Sequence, residues 1–370
     1  MMKMLSGLGA QVSYQDGQVT IQAREVQESG QLYQYARKMR ASFLLLGPLL
    51  MRTGEACLPL PGGCAIGNRP VDLHLKGLTA LGAEFSVENG YIKASAKNLI
   101  GNEVSLDYRS VGATENIMMV AAAARGGTTI TNAAAEPEIV DLGNLLNKMG
   151  ARVTGAGTSC IRIEGAPDLC GAIHTVIPDR IEAGTYLIAA AATGGQVRLQ
   201  QVVPSHLQLV IEKLRQAGVP IEDDRGELVV YPAEELCPLQ ITTGPYPGFP
   251  TDLQPQLAAL LTTAAGESTI TETVFENRFL YTEYLQRMGS QISVNGSAAR
   301  IQGVKSLLPA QVKATDLRAG AALVIAALKT PGKTEISGLY HLDRGYEKLE
   351  EKLASLGAHI RRVSDRAVNL

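Results

Sequence analysis

The chain has 370 residues, of which 45% are hydrophobic and 19% charged, and a formal net charge of −2. This is the composition of a soluble globular protein long enough for two domains, and its near-neutral balance gives no reason to expect a nucleic acid or an anionic membrane as partner. No apolar run approaches the roughly 20 residues that cross a bilayer. Residues 1–7 lack the apolar core of a signal peptide, and the five cysteines at 57, 64, 160, 170 and 237 fit neither a disulfide framework nor a metal-ligand spacing. The expectations are a reducing cytoplasmic location, no metal and no cofactor.

In chain order, one pattern recurs six times: a helix end with Gly, then alternating polar and apolar sequence. The copies are Leu8-Gly9-Ala10-Gln11-Val12, Leu81-Gly82-Ala83-Glu84-Phe85, Met149-Gly150-Ala151-Arg152-Val153, Ala217-Gly218-Val219-Pro220-Ile221, Met288-Gly289-Ser290-Gln291-Ile292 and Leu356-Gly357-Ala358-His359-Ile360. Their glycines are spaced by 73, 68, 68, 71 and 68 residues, a structural repeat. Each Gly sits where a left-handed residue closes a helix. Turns such as Gln15-Asp16-Gly17, Glu88-Asn89-Gly90 and Asp224-Arg225-Gly226 predict a hairpin after it.

Each unit also has a front half: a short strand, a polar loop and an Ala/Leu-rich helix, clearest at 104–125, 171–193, 239–266 and 311–328, and in the second unit at about 33–52. The helices at 118–124, 188–192, 257–265 and 319–327 are apolar nearly all round, so burial inside the sheets is expected. The fold class is α/β (α+β), two domains of three βαβαββ units each. The first glycine stands at position 9 against a period of about 70. The first unit is therefore read as truncated, with about 50 residues of a full unit expected before Met1.

The loop Pro61-Gly62-Gly63-Cys64-Ala65-Ile66-Gly67-Asn68-Arg69-Pro70 breaks helix and strand alike and holds a cysteine next to small residues. A nearby arginine such as Arg69 favours a thiolate. The other reading of the loop is a tight turn with an incidental thiol. Cys57, Cys160, Cys170 and Cys237 lie in or beside strand-like segments and are read as structural.

This loop is one of many ordered motifs. The others are Lys38-Met39-Arg40-Ala41-Ser42, Arg69-Pro70-Val71-Asp72-Leu73-His74, Ser110-Val111-Gly112-Ala113-Thr114, Ala135-Glu136-Pro137-Glu138-Ile139-Val140-Asp141, Pro178-Asp179-Arg180-Ile181-Glu182, Phe249-Pro250-Thr251-Asp252-Leu253-Gln254, Glu272-Thr273-Val274-Phe275-Glu276-Asn277-Arg278, Ala314-Thr315-Asp316-Leu317-Arg318 and His341-Leu342-Asp343-Arg344-Gly345-Tyr346-Glu347. With them the chain resembles the enolpyruvyl transferases, most of all the branch acting on UDP-N-acetylglucosamine. The resemblance implies two inside-out α/β domains, 1–177 and 178–370, closing on a cleft; that closure needs only a monomer, which is the expected state. It implies transfer of the enolpyruvyl group of phosphoenolpyruvate to the 3′-hydroxyl of UDP-N-acetylglucosamine with release of phosphate, the first committed step of peptidoglycan synthesis.

By the same resemblance Cys64 is general acid and forms a covalent adduct, Asp252 is the base beside Thr251, and Arg344 joins them as a catalytic cation. Arg40, Arg69, Arg318 and Arg344 grip phosphate and carboxylate, for which guanidinium suits. Arg69, Pro70, Val71, Asp72 and Leu73, with Tyr108, Ser110, Val111 and Gly112, form the nucleotide-sugar loops. Position 108 is tyrosine where some members carry lysine. Val274 meets the acetylated sugar through its backbone, and Asp316 orients cleft cations. For Asp252 and Asp316 a helix-capping role fits the local sequence as well. His74 reads as buried and structural. The family's Lys-Asn pair would fall before Met1. Two alternatives stay open. One is an inactive or binding-only remnant. The other is a transferase acting on shikimate 3-phosphate, against which the Cys64 loop and Glu276-Asn277-Arg278 speak.

Overall fold

The protein is described here by a computed structural model, which places residues 1–26, 39–60, 66, 71–166 and 168–363. All six repeat glycines have the left-handed backbone that the pattern demands, with φ between 86° at Gly289 and 111° at Gly150. The N–H of the next residue reaches back five positions to a carbonyl that belongs to leucine in every copy: Leu5, Leu78, Leu146, Leu214, Leu285 and Leu353, at 3.0–3.1 Å. This is the Schellman closure, which satisfies carbonyls that a helix end leaves open. In three copies the residue before last in the helix adds a staple. Asn147, Arg215 and Gln286 each donate from the side chain to the carbonyl of the strand residue three beyond the glycine, Val153, Ile221 and Ile292.

The chain divides into two units, with the boundary between Ile177 and Pro178; Ile66 groups with the second. The complete repeats share one topology. In the first unit, strands Glu103–Ser105, Gly127–Thr131, Cys160–Glu164 and Arg152–Thr154 lie in that order, the first pair parallel and the others antiparallel. In the second unit Gln240–Thr242, Glu267–Thr271, Ala298–Gln302 and Gln291–Asn295 repeat this order and sense. The registers align apolar positions: Val104 with Ile130 and Ile161, Ile241 with Ile270 and Ala299. Each of these is buried while its neighbours in the strand face outward, so each sheet covers the core with one face and meets solvent with the other.

Inside the second unit pack three helices, Arg180–Thr193, Gln254–Leu261 and Leu317–Leu328. Every residue of Gln254–Leu261 is buried. Small residues let these helices approach closely: a Cβ on Gly184 would lie 2.4 Å from Leu253 Cδ1. The outer helices Gln208–Gln216 and Leu349–Ser355 bury only a stripe, such as Val210, Ile211 and Leu214. In the first unit Val111–Ala121 is the central helix, packed on Leu46–Thr53, Asp72–Ala80 and Pro137–Lys148. The arrangement, helices within and sheets without, is the inside-out fold.

Two expected elements differ. No hairpin follows Gly357 among the described residues: 358–363 carry no strand, and Arg362 there is bound by Asp343 Oδ1 at 2.6 Å and by Glu350 Oε1 at 2.9 Å. Among the described residues of the fourth repeat no strand precedes the Arg180–Thr193 helix either, so the sheet of Val197–Leu199, Glu227–Val230 and Ile221–Asp224 has three strands. Among the described residues no helix is long and apolar enough to cross a membrane.

A Cβ added at Gly150 would meet nothing within 4 Å, so its requirement is purely one of backbone conformation. Gly150→Ala is expected to lower stability by about 1 kcal/mol through the left-handed backbone alone, read as a shift of the urea midpoint.

Candidate functional site

In the second unit Phe249, 1% exposed, and Leu253, fully buried, pin the two ends of the turn Thr251–Leu253. Thr251 and Asp252, between these anchors, remain partly accessible. Pro250 is the N-cap residue of the turn and Leu253 that of the Gln254–Leu261 helix, so Asp252 occupies neither N-cap position. Its carboxylate lies between two guanidinium groups. Arg278 Nη2 donates to Oδ1 at 2.7 Å and Arg318 Nη2 to Oδ2 at 3.1 Å.

Arg278 has only 1% of its side chain exposed. Its Nε and Nη2 also donate to the Thr251 carbonyl at 3.2 and 2.9 Å, and the Phe275 ring lies 5.7 Å from its Cζ. Its Nη1 is 3.9 Å from Asp316 Oδ1. Asp316 caps the Leu317–Leu328 helix, accepting from the backbone N–H of Arg318 and Ala319 at 2.9 and 3.0 Å. The capping role therefore holds for Asp316, alongside its place beside Arg278. Arg318 donates from Nη1 to Tyr346 Oη at 3.1 Å. Burial opposes its charge, but the Asp252 carboxylate, with Tyr346 and Asp179, outweighs this and raises its pKa above the usual arginine value.

Glu272 braces the turn. Its Oε2 accepts from Thr251 Oγ1 at 3.0 Å, and its Oε1 from the N–H groups of Val274 and Phe275 at 2.8 and 3.2 Å. The Val274 amide is thus committed within the protein. Arg344 is exposed, in the turn Leu339–Arg344, with Nη2 2.9 Å from His341 Nδ1. Burial, then the Arg344 charge, lowers the His341 pKa.

In the first unit a cavity of about 240 Å³ is lined by Arg40, Phe43, Val71, His74, Gly112 and Glu115, among others. Ser110 caps the Val111–Ala121 helix, its hydroxyl accepting from Ala113 N–H at 3.4 Å, and Val111 and Gly112 form the first turn, where backbone N–H groups lack helical partners. Asp72 opens the Asp72–Ala80 helix and receives a long 3.5 Å hydrogen bond from the exposed Tyr108 hydroxyl. Leu73 is 1% exposed, so its side chain belongs to the core and only its backbone can meet a ligand. Burial, then Glu138 and Glu136, push Glu115 up to about 7. The structure thus gathers Thr251, Asp252, Asp316 and Arg318 around Arg278, and Arg40, Val71 and Gly112 around the first-unit cavity. Cys64, Arg69 and Pro70 lie outside the described residues. Cys57 and Cys160 are half-buried in strands, whereas Cys170 and Cys237 are exposed outside them.

The sequence reading did not single out Arg278, Glu272 or Tyr346. Each stood inside a quoted motif, yet only the fold brings Arg278 onto a turn 26 residues earlier.

His74 is 5% exposed and takes a hydrogen bond at Nδ1 from Asn116 Nδ2, 3.2 Å away. Asn116 also donates to the Phe43 carbonyl at 3.1 Å and accepts the Gly47 N–H at 3.0 Å. Burial, then the Arg40 charge, lowers the His74 pKa to about 4. The unfolded chain therefore binds the proton first, and stability is lost as pH falls from about 6.5 to about 4. Glu115, shifted upward, works in the opposite sense and cancels when variants are compared. Between pH 7 and pH 4 the wild type is expected to lose about 3 kcal/mol more than His74→Gln, measured by denaturant unfolding at each pH.

Residues 1–353 match the family model described as EPSP synthase (3-phosphoshikimate 1-carboxyvinyltransferase). The UDP-N-acetylglucosamine 1-carboxyvinyltransferase 2 of Carboxydothermus hydrogenoformans is 56% identical over 99% of this chain and 88% of its own. The UDP-N-acetylglucosamine 1-carboxyvinyltransferase 1 of Caldanaerobacter subterraneus subsp. tengcongensis is 53% identical over 98% of this chain and 87% of its own. Among solved structures, the enolpyruvyl transferase NikO from Streptomyces tendae aligns with a TM-score of 0.86 and 27% identity, over 97% of this chain and 86% of that one. An EPSP synthase from Acinetobacter baumannii shares the fold at a TM-score of 0.74 and 21% identity, over 96% of this chain and 86% of that one. With its inside-out units and these relatives, the chain belongs to the enolpyruvyl transferase family.

Proposed function

We propose that this transferase moves the enolpyruvyl group of phosphoenolpyruvate to the 3′-hydroxyl of UDP-N-acetylglucosamine and releases phosphate. The observation that carries the reading is the Asp252 carboxylate, held at both oxygens by Arg278 and Arg318. The reaction needs an oriented acceptor for a hydroxyl proton beside cations for a phosphate and a carboxylate. The names of relatives at 56% and 53% identity support the nucleotide sugar as acceptor.

In this mechanism Asp252 takes the sugar 3′-hydroxyl proton while that oxygen bonds to C2 of phosphoenolpyruvate. The Cys64 thiol gives a proton to C3, forming a tetrahedral ketal. The Cys64 thiolate then takes a proton back from C3 as the C2–O bond to phosphate breaks, and the C3–H electron pair forms the double bond of the product. The departing phosphate carries away the proton held by Asp252. The Cys64 role rests on the resemblance. Arg40, Arg69, Arg318 and Arg344 bind the anions, and Asp316 and Arg278 fix the positions of Arg318 and Asp252. Val71, Asp72, Tyr108 and the Ser110–Gly112 turn take the nucleotide sugar, with its diphosphate at the N-terminus of the Val111–Ala121 helix. We assign the two units to the two domains of the transferase, the active form to a monomer, and the location to the cytoplasm, which the cysteine pattern supports.

Phosphate release by the purified chain is expected to require both substrates and to vanish in Cys64→Ala. Asp252→Asn is expected to lose a factor of about 100 to 10,000 in kcat. Release with shikimate 3-phosphate in place of the nucleotide sugar would favour the other branch of the family. Binding of the nucleotide sugar without release would mark a binding-only protein.

A further inference from the structure

Tyr346 is 2% exposed and follows the Leu339–Arg344 turn. Its hydroxyl oxygen lies 3.1 Å from Arg318 Nη1, 3.3 Å from Gln256 Nε2 and 2.9 Å from Thr185 Oγ1. Guanidinium and amide nitrogens only donate, so the phenol oxygen accepts from both and its own hydrogen goes to Thr185. The Thr185 hydroxyl in turn donates to the Ile181 carbonyl at 2.8 Å. Every bond in the chain therefore has one direction, and the phenol oxygen has no capacity left over. The Tyr346 ring also lies beside the guanidinium, with 5.6 Å from its centroid to Arg318 Cζ.

Arg318 is gripped at both ends, by Tyr346 at Nη1 and by Asp252 at Nη2. Each terminal nitrogen spends one N–H on these bonds and keeps a second. The close passage of the chain at Gly345 makes the grip sterically feasible: a Cβ there would stand 2.7 Å from Leu317 Cδ2. Tyr346 thereby ties the turn that carries Arg344 to the three central helices, through Thr185, Gln256 and Arg318.

We propose that Tyr346 is a positioning residue for the transferase reaction, holding the Arg318 guanidinium in the place where it receives the anionic groups of phosphoenolpyruvate. This rests on the function proposed above in one respect, that Arg318 binds an anion.

Tyr346→Phe keeps the ring and removes the acceptor. It is expected to raise the KM for phosphoenolpyruvate about tenfold, the effect of one lost charge-assisted hydrogen bond. The KM for UDP-N-acetylglucosamine should stay within about twofold, because its nucleotide and diphosphate are assigned above to the first-unit loops, away from this grip. Thr185→Val, which removes the acceptor for the tyrosine hydrogen, is expected to act in the same direction with a smaller effect. It decides the question if Tyr346→Phe does not fold. In an Arg318→Lys background, Tyr346→Phe is expected to add little to the rise in the KM for phosphoenolpyruvate, since the positioning proposed here runs through the guanidinium. An unchanged KM for phosphoenolpyruvate in the folded variants, or a full additional loss in the Arg318→Lys background, overturns the proposal. Calorimetric binding of inorganic phosphate to the same proteins separates the two readings. Turnover by the wild type with phosphate affinity unaltered in Tyr346→Phe sinks the positioning role alone. Weakened phosphate binding in Tyr346→Phe supports that role even where the wild type shows no turnover with the nucleotide sugar.

Discussion

The second unit depends on the ion pair between Arg278 and Asp252. A guanidinium with 1% of its side chain exposed is tolerated only when its donors are matched, because an unpaired buried charge costs several kcal/mol. The match comes from the Thr251 carbonyl, the Asp252 carboxylate and, at longer range, Asp316. All three sit at the start of a central helix or on the turn before one. The same contacts that satisfy the buried charge therefore fix where the Asp252 carboxylate sits. Stability and site geometry are one constraint here, and removal of either partner disturbs both.

Each unit places an amide in the middle of its apolar centre. Asn116 is fully buried on the central helix of the first unit and binds Gly47 and Phe43. Gln256 is fully buried in the second and reaches Thr185, Tyr346 and the Asp252 carbonyl. Buried polar groups of this kind are costly unless bonded, and when bonded they select one packing arrangement. In the first unit the amide orients a neutral histidine at a cavity. In the second it supports the tyrosine that holds Arg318.

Much of the architecture was legible because it is local. The left-handed glycines at 9, 82, 150, 218, 289 and 357 are a backbone requirement written into single positions, and the Ala-rich helices announced their burial by lacking a polar face. The leucine four places before each glycine was equally visible and carries the closing carbonyl. What the local pattern misjudged was the stretch after Gly357, where Arg362 binds Asp343 and Glu350 and no hairpin forms among the described residues. The site was legible as a set of motifs, since Thr251, Asp252, Asp316 and Arg318 do come together. The convergence of Arg278 and Tyr346 on that set was not, because it spans distances of 26 and 28 residues in sequence that only tertiary packing closes.

The most direct measurement is a double-mutant cycle on kcat/KM with Arg278→Lys, Asp252→Asn and the combined variant, each checked for thermal unfolding. If the pair acts as one unit, the double variant is no slower than the slower single variant. Losses that multiply as independent factors in folded proteins would contradict the account.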